Sequence, residues 1–302
     1  IYFFIVVALL TAGYGCSGKL DIAPLNILTA DQVFQSESAI TAYMVALYAQ
    51  LPAEDFNYAT NGNHLSNQTD ESISSFVNER TSIPDGTWYP WWGYNYIRNV
   101  NDLIAKLPSA GISEEEKKSL LGEAKFIRAF YYFGLAKRYG GVPINSEVQN
   151  YTGSNIGELQ VPRNTEKEVW DFIAADLDSA VLLLPETNTA GRAGKYAALA
   201  LKSRAMLYAA SVAKYGTVSL NGIAGISAAE AGKYWQAAYD ASEQVMQAGK
   251  YSLYEKNTDK ELNFAQLFLD SDNPEAIFSV YYQYPYKTHS YDAANLPFGI
   301  RG

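Results

Sequence analysis

The nine residues from Trp88 to Tyr96 hold the densest run of aromatic and amide side chains in the sequence: Trp88, Tyr89, Trp91, Trp92, Tyr94, Asn95 and Tyr96. Flat aromatic faces suit the apolar C–H side of a pyranose ring, and planar polar groups suit its hydroxyls. Trp91, Tyr94 and Ile97 fall at helical spacing, which turns them toward a core. Trp88, Tyr89, Trp92 and Asn95 lie off that stripe and are freer to face a ligand, with core packing as the alternative for each. Just upstream, residues 52–87 lack any hydrophobic period and are rich in Asn, Ser, Thr and Asp. That composition predicts a long structured loop, the kind of segment that often carries function. Within it Asn61, Asn63, His64, Asn67 and Gln68 are further partners for hydroxyls, or ordinary loop-capping residues.

Signs of catalysis are sparse. His64 and His289 stand in no metal-ligand spacing, and neither a nucleophile elbow nor a phosphate loop occurs. A glycosidase sets two carboxylates about 5–10 Å apart, and no spacing among the 32 acidic residues singles out such a pair. Asp270, Asp272 and Asn273 look like a fragment of a calcium loop but lack its glycine and distal glutamate. A turn ahead of a strand is the favoured reading there. No enzyme activity, cofactor or metal site is therefore expected. A net charge of −9 and a pI near 4.8 argue against nucleic acid, which requires clustered Lys and Arg. Tyr is abundant instead, at 24 residues against 3 Met, as suits recognition of polar ligands or a tyrosine-rich core.

The single cysteine, Cys16, rules out an intrachain disulfide. Residues 1–12 form an apolar run too short to span a bilayer but the right size for the core of a signal peptide. Ala12, Gly13 and Gly15 precede Cys16, and Ser17, Gly18 and Lys19 follow it. This is similar to a bacterial lipoprotein signal, with residues 1–15 removed and Cys16 lipidated. Gly13 and Tyr14 depart from the usual residues at their positions, so a plain secretory signal is the alternative. Beginning within an apolar run and ending at Gly302 without a terminating element, the chain is expected to be incomplete at both ends.

Helices dominate the rest. Residues 36–51 carry Ile40, Met44, Leu47 and Leu51 on one face. A helix over 91–107 follows, with Tyr94, Ile97, Asn101 and Ile104 on a stripe. Ser113 and Glu116 make a capping box that opens a long helix. There Leu120, Ala124, Ile127, Tyr131 and Leu135 mark the apolar face, and Phe126, Phe130, Tyr132 and Phe133 widen it until little can sit in water. Gly140, Gly141 and Pro143 stop it. Thr165 and Glu168 cap another helix, with Val169, Ile173, Leu177, Val181 and Leu184 inward and Pro185 after it. Helices over 195–215 and 233–248 follow, the second carrying Trp235, Ala238, Ser242 and Val245. Residues 144–163 and 216–230 are expected on the surface, and 276–283 reads as a short strand. The fold class is thus mostly α: irregular tetratricopeptide-like helix pairs as scaffold, with long ligand-binding loops and few short strands.

Several of these pieces together resemble the SusD/RagB family of outer-membrane nutrient-binding lipoproteins. They are Cys16 with the Leu20, Asp21 and Pro24 leader, then Trp91, Tyr94, Ile97 and Asn101 on one helix. The signature helix follows, with Glu123, Ala124, Phe126, Arg128 and Ala129 and its Tyr139 to Pro143 exit. Gly191, Arg192 and Ala193 come next, and Asn273, Pro274, Glu275, Ile277 and Phe278 last. The resemblance implies one SusD-like helical domain over 16–302, truncated at its C-terminal end. It implies a non-catalytic lipoprotein, lipid-anchored in the outer membrane and facing the cell surface, that binds oligosaccharide or polysaccharide. The glycan would pass to a SusC-like TonB-dependent transporter. A peptide- or glycoprotein-binding role is the alternative, and a glycoside hydrolase the more distant one. The starch-binding type of the family contacts sugar through aromatics and an Asn of this region, together with an Asp and an Arg from the preceding loop. The implied ligand set here is Asp70, Arg80, Trp88, Tyr89, Trp92 and Asn95, with Cys16 as the lipidation site.

Overall fold

Local sequence accounts for several of the helix ends. A computed structural model describes residues 34–52 and 91–288. Among them run seven α-helices: α1 (Glu37–Ala49), α2 (Tyr94–Lys106), α3 (Glu114–Tyr139), α4 (Glu166–Leu183), α5 (Lys195–Tyr215), α6 (Ala231–Gln247) and α7 (Lys260–Leu269). Both expected capping boxes form: Ser113 Oγ accepts from Glu116 N–H, and Thr165 Oγ1 from Glu168 N–H. At the far end of α3, Gly140 takes φ +65°, a conformation only glycine adopts cheaply. Gly141 sits so close to the next connection that a Cβ there would lie 2.1 Å from Asn164 O.

The mostly α class, built of successive packed helices, stands. Helix α3 packs against α1, α2 and α4, while α4 pairs with α5 and α5 with α6. Fourteen residues of α3 are buried, so the over-wide aromatic face is the spine of the core. Phe133 meets Trp170 of α4 and Tyr208 of α5 edge-on, and Tyr132 meets Phe172 in the same way. Buried alanines on α5 (Ala205, Ala209 and Ala213) let the neighbouring helices approach closely.

The structure corrects four details. Helix α2 begins at Tyr94 rather than Trp91, because Trp91 folds back over Gly93 and its ring packs on Tyr131, 5.7 Å away. It ends at Lys106, with a 3-10 turn over Leu107–Ser109. The inward stripe of α6 is Tyr234, Ala238 and Ala241, one position off the expected one, and Trp235 lies at the surface. Residues 276–283 form no strand; the only pairing nearby is an isolated bridge between Gln283 and Lys287. Ile277 and Phe278 pack on the helical core instead, with Phe278 edge-on to Phe126 at 5.4 Å. Their strand-like composition reflects burial, since β-propensity is largely fitness for a half-buried surface. Helix α7 was not anticipated; Asp259 caps it, accepting from Glu261 and Leu262 N–H.

Tyrosines supply much of the core and set its alkaline limit. Burial pushes the phenols of Tyr43 and Tyr132 up to about 12, and those of Tyr94, Tyr131 and Tyr234 also rise. The unfolded chain releases these protons near pH 10 while the folded chain holds them, so stability is intact below that pH. It is expected to fall as pH rises from about 10 to about 12. Absorbance titration should show a late group of phenols ionising together with loss of helical dichroism. Independent ionisation of all the phenols near pH 10, with the helices intact, would contradict this.

Candidate functional site

The start of α2 presents an aromatic ledge. Trp92 precedes the helix and is 54% exposed, while Trp91 beside it is buried. Its indole packs on Tyr94 (5.0 Å) and edge-on to Tyr139 (5.2 Å), so the exposed face is held in position. Tyr94 is in turn fixed by its hydroxyl, which donates to Pro143 O at 2.5 Å. Asn95 is exposed one residue further on.

Beside this ledge lies an open cleft of about 240 Å³, lined by Tyr94, Asn95, Arg98, Asn101, Asn145, Glu147 and Gln149 among others. One wall is α2; the other is the extended segment that leaves α3. That second wall is tied down residue by residue. Asn101 Nδ2 donates to Asn145 O (2.8 Å) and Glu147 O (3.3 Å), and Arg128 Nη1 donates to Ser146 O (3.0 Å). Tyr132 OH accepts from Asn145 N–H at 2.7 Å, and Arg98 donates to Gln149 O. A rigid polar wall facing an aromatic ledge provides donors, acceptors and a flat ring at one place.

Beneath the cleft the charged residues of the signature helix are consumed by structure. Arg128 is 2% exposed and Asp176 3%. Arg128 Nε and Nη2 donate to the two Asp176 oxygens at 2.6 and 2.9 Å, and Lys125 adds a third bond at 2.9 Å. Arg128 also donates to Asn101 Oδ1 at 2.8 Å, and its guanidinium lies over the Phe172 ring. Glu123 is wholly buried and takes a bidentate pair from Arg192, at 2.8 and 2.6 Å, plus the Tyr48 hydroxyl at 2.7 Å.

Of the residues expected at a ligand site, Asn95 lines this cleft and Trp92 packs on Tyr94, which lines it too. Asp70, Arg80, Trp88, Tyr89 and Cys16 fall outside the described residues. Asn145, Glu147 and Gln149 were not anticipated, because residues 144–163 carry no helical or strand period, and Arg98 of α2 lies off the motif positions of its helix. Only the Pro143 exit hinted that the chain turns back across α2. Among the described residues no cluster of His, Cys, Asp or Glu could hold a metal. At the calcium-like fragment Lys256 Nζ binds Asp270 Oδ2 and Asp272 Oδ2, at 2.9 and 3.1 Å.

Serially packed helices with a polar cleft beside an exposed tryptophan define a helical scaffold that carries an open polar cleft. Residues 20–207 match the SusD-like family model described as starch-binding and associating with the outer membrane, and the chain belongs to that family. It is 25% identical over 221 residues to SusD-like protein P2 of Formosa agariphila, covering 68% of this chain and 41% of that protein. It is similar to the crystal structure of a SusD-like protein from Bacteroides fragilis, with a TM-score of 0.61 and 28% identity. That match covers 87% of this chain and 48% of the other. A laminarin-binding SusD-like protein shares the fold at a TM-score of 0.55 and 22% identity, covering 82% of this chain and 52% of the other. The chain thus spans 41% of the length of that curated relative.

Proposed function

We propose that this chain belongs to a non-catalytic, surface-facing lipoprotein that binds oligosaccharide or polysaccharide and hands it to a SusC-like TonB-dependent transporter. The observation that carries the glycan reading is Trp92, exposed on a fixed aromatic ledge at the edge of a cleft lined by amide and charged side chains. A pyranose would lay its C–H face on the indole and direct its hydroxyls to Asn95 and the groups beyond. Membership in a family described as starch-binding supports this, as does the laminarin-binding neighbour with the same fold. Asp70, Arg80, Trp88 and Tyr89 are proposed to complete the site from the preceding loop, on the strength of the family resemblance. Signal removal over residues 1–15 and lipidation of Cys16 would anchor the remaining helical domain, 16–302, to the outer membrane. Multiple acyl chains give such an anchor its strength.

Trp92→Ala tests the site. An aromatic anchor at a binding site is worth about 2 kcal/mol or more, so affinity for starch or laminarin oligosaccharides should fall at least roughly 30-fold in calorimetry. Helical circular dichroism should be unchanged, since the half-exposed indole packs on Tyr94 and Tyr139 at the ends of α2 and α3 rather than in the core. Retained affinity would remove Trp92 from the site.

A further inference from the structure

Two unpaired charges of opposite sign share the cleft beside Trp92. Arg98, exposed on α2, donates to the carbonyl of Gln149, and among the described residues no carboxylate pairs with it; the carboxylate of Glu147, exposed on the facing wall, has no hydrogen-bond or ion-pair partner among them either. Among the described residues, the buried acids Glu123 and Asp176 are each paired with an arginine, Arg192 and Arg128, and buried Glu166 accepts from Trp170 Nε1 and Gly225 N–H. Both positions in the cleft are also held firmly at the backbone. Asn101 grips Glu147 O, and Arg98 sits one helical turn before Asn101, which is itself locked by Arg128.

We infer that Arg98 and Glu147 are a donor–acceptor pair for the hydroxyls of a neutral saccharide, and that Glu147 selects against saccharides bearing carboxylate or sulfate. This rests on the glycan reading of the Trp92 cleft and names the substrate class within it. Charge-assisted hydrogen bonds are roughly twice as strong as neutral ones. A guanidinium on one wall and a carboxylate on the other therefore grip a ligand that both donates and accepts, as a sugar diol does. An acidic sugar finds one attractive and one repulsive charge, with no net gain from the local field. The chain's overall charge of −9 adds no attraction, and beyond about 8 Å it is screened in any case.

The test uses the full chain in calorimetry against starch and laminarin oligosaccharides as neutral probes, and polygalacturonate and alginate oligosaccharides as acidic ones. The wild-type chain should bind at least one neutral probe at least about tenfold tighter than either acidic probe. Arg98→Ala should weaken neutral binding by about tenfold or more. Glu147→Gln should narrow the gap, by raising acidic binding and lowering neutral binding. Both residues are exposed, so circular dichroism should stay that of the wild-type chain. If Trp92→Ala abolishes neutral binding while Arg98→Ala and Glu147→Gln leave it untouched, the pair is not part of the site and this inference fails alone. It also fails if the wild-type chain binds acidic probes as tightly as neutral ones. If no probe of either class binds, the glycan reading falls and this inference with it.

Discussion

Asp176→Ala is expected to cost about 3–5 kcal/mol, the usual result of stranding one partner of a buried ion pair. For a chain of this size, at about 2.1 cal/mol/K of unfolding entropy per residue, that corresponds to a fall of roughly 5–8 °C in the unfolding midpoint. The loss is large because Asp176 accepts from three nitrogens, and two of them belong to a guanidinium that is 2% exposed. Arg128 would keep Asn101 Oδ1 and Ser146 O as acceptors but lose the only opposite charge at bonding distance among the described residues. Replacing both Arg128 and Asp176 by Leu should recover much of the stability, since paired apolar residues avoid the buried charge altogether. Recovery of stability without recovery of glycan affinity would show that Arg128 also positions the cleft wall through Ser146. A drop below about 1 kcal/mol for Asp176→Ala in thermal or urea unfolding would show that water reaches this network.

Glu123→Ala should come second, near the lower end of the same range, about 3 kcal/mol. Its carboxylate joins three parts of the chain that are far apart in sequence. Tyr48 OH at the end of α1 donates to it, Arg192 ahead of α5 grips it twice, and Tyr48 OH also accepts from Ala193 N–H at 2.9 Å. Arg192 keeps some contact with solvent, its side chain being 19% exposed, so its stranded charge is cheaper than that of Arg128. The signature of this variant is local. Hydrogen exchange should speed up in the last turn of α1, which Tyr48 and the Tyr131 hydroxyl bond to Leu47 O tie to the core. Uniform loss of protection across α1 to α6 would instead mean that Glu123 supports the whole stack evenly.

These two networks mark where sequence periodicity stops being informative. Apolar spacing located α1, α3, α4 and α5 to within a residue or two, and capping boxes fixed where α3 and α4 begin. The same spacing treated Glu123 and Arg128 only as parts of a family motif. Nothing local says that a charged residue in a helix is buried; that depends on Asp176 and Arg192 arriving 48 and 69 residues away. The strand expected over 276–283 failed for a related reason. A strand needs a partner edge, and Phe278 found Phe126 and Tyr48 of the helical core.

At the candidate site, the division of Trp88 to Tyr96 into core and ligand-facing residues came from spacing alone. It placed Ile97 inside, and Trp92 and Asn95 outside. The facing wall could not be read that way. Asn145, Glu147 and Gln149 sit in an extended segment with no period, and only the bonds from Asn101, Arg128 and Tyr132 bring that segment across α2. By itself, then, the sequence determined α1, α3, α4 and α5, the capping boxes of α3 and α4, and the exposure of Trp92 and Asn95, because each is written in spacing within a few turns of chain. The tertiary structure alone decided that the signature charges are buried supports, and that Arg98 and Glu147 line one cleft with no ion-pair partner among the described residues. Such pairings depend on where distant segments come to rest, which no local pattern records.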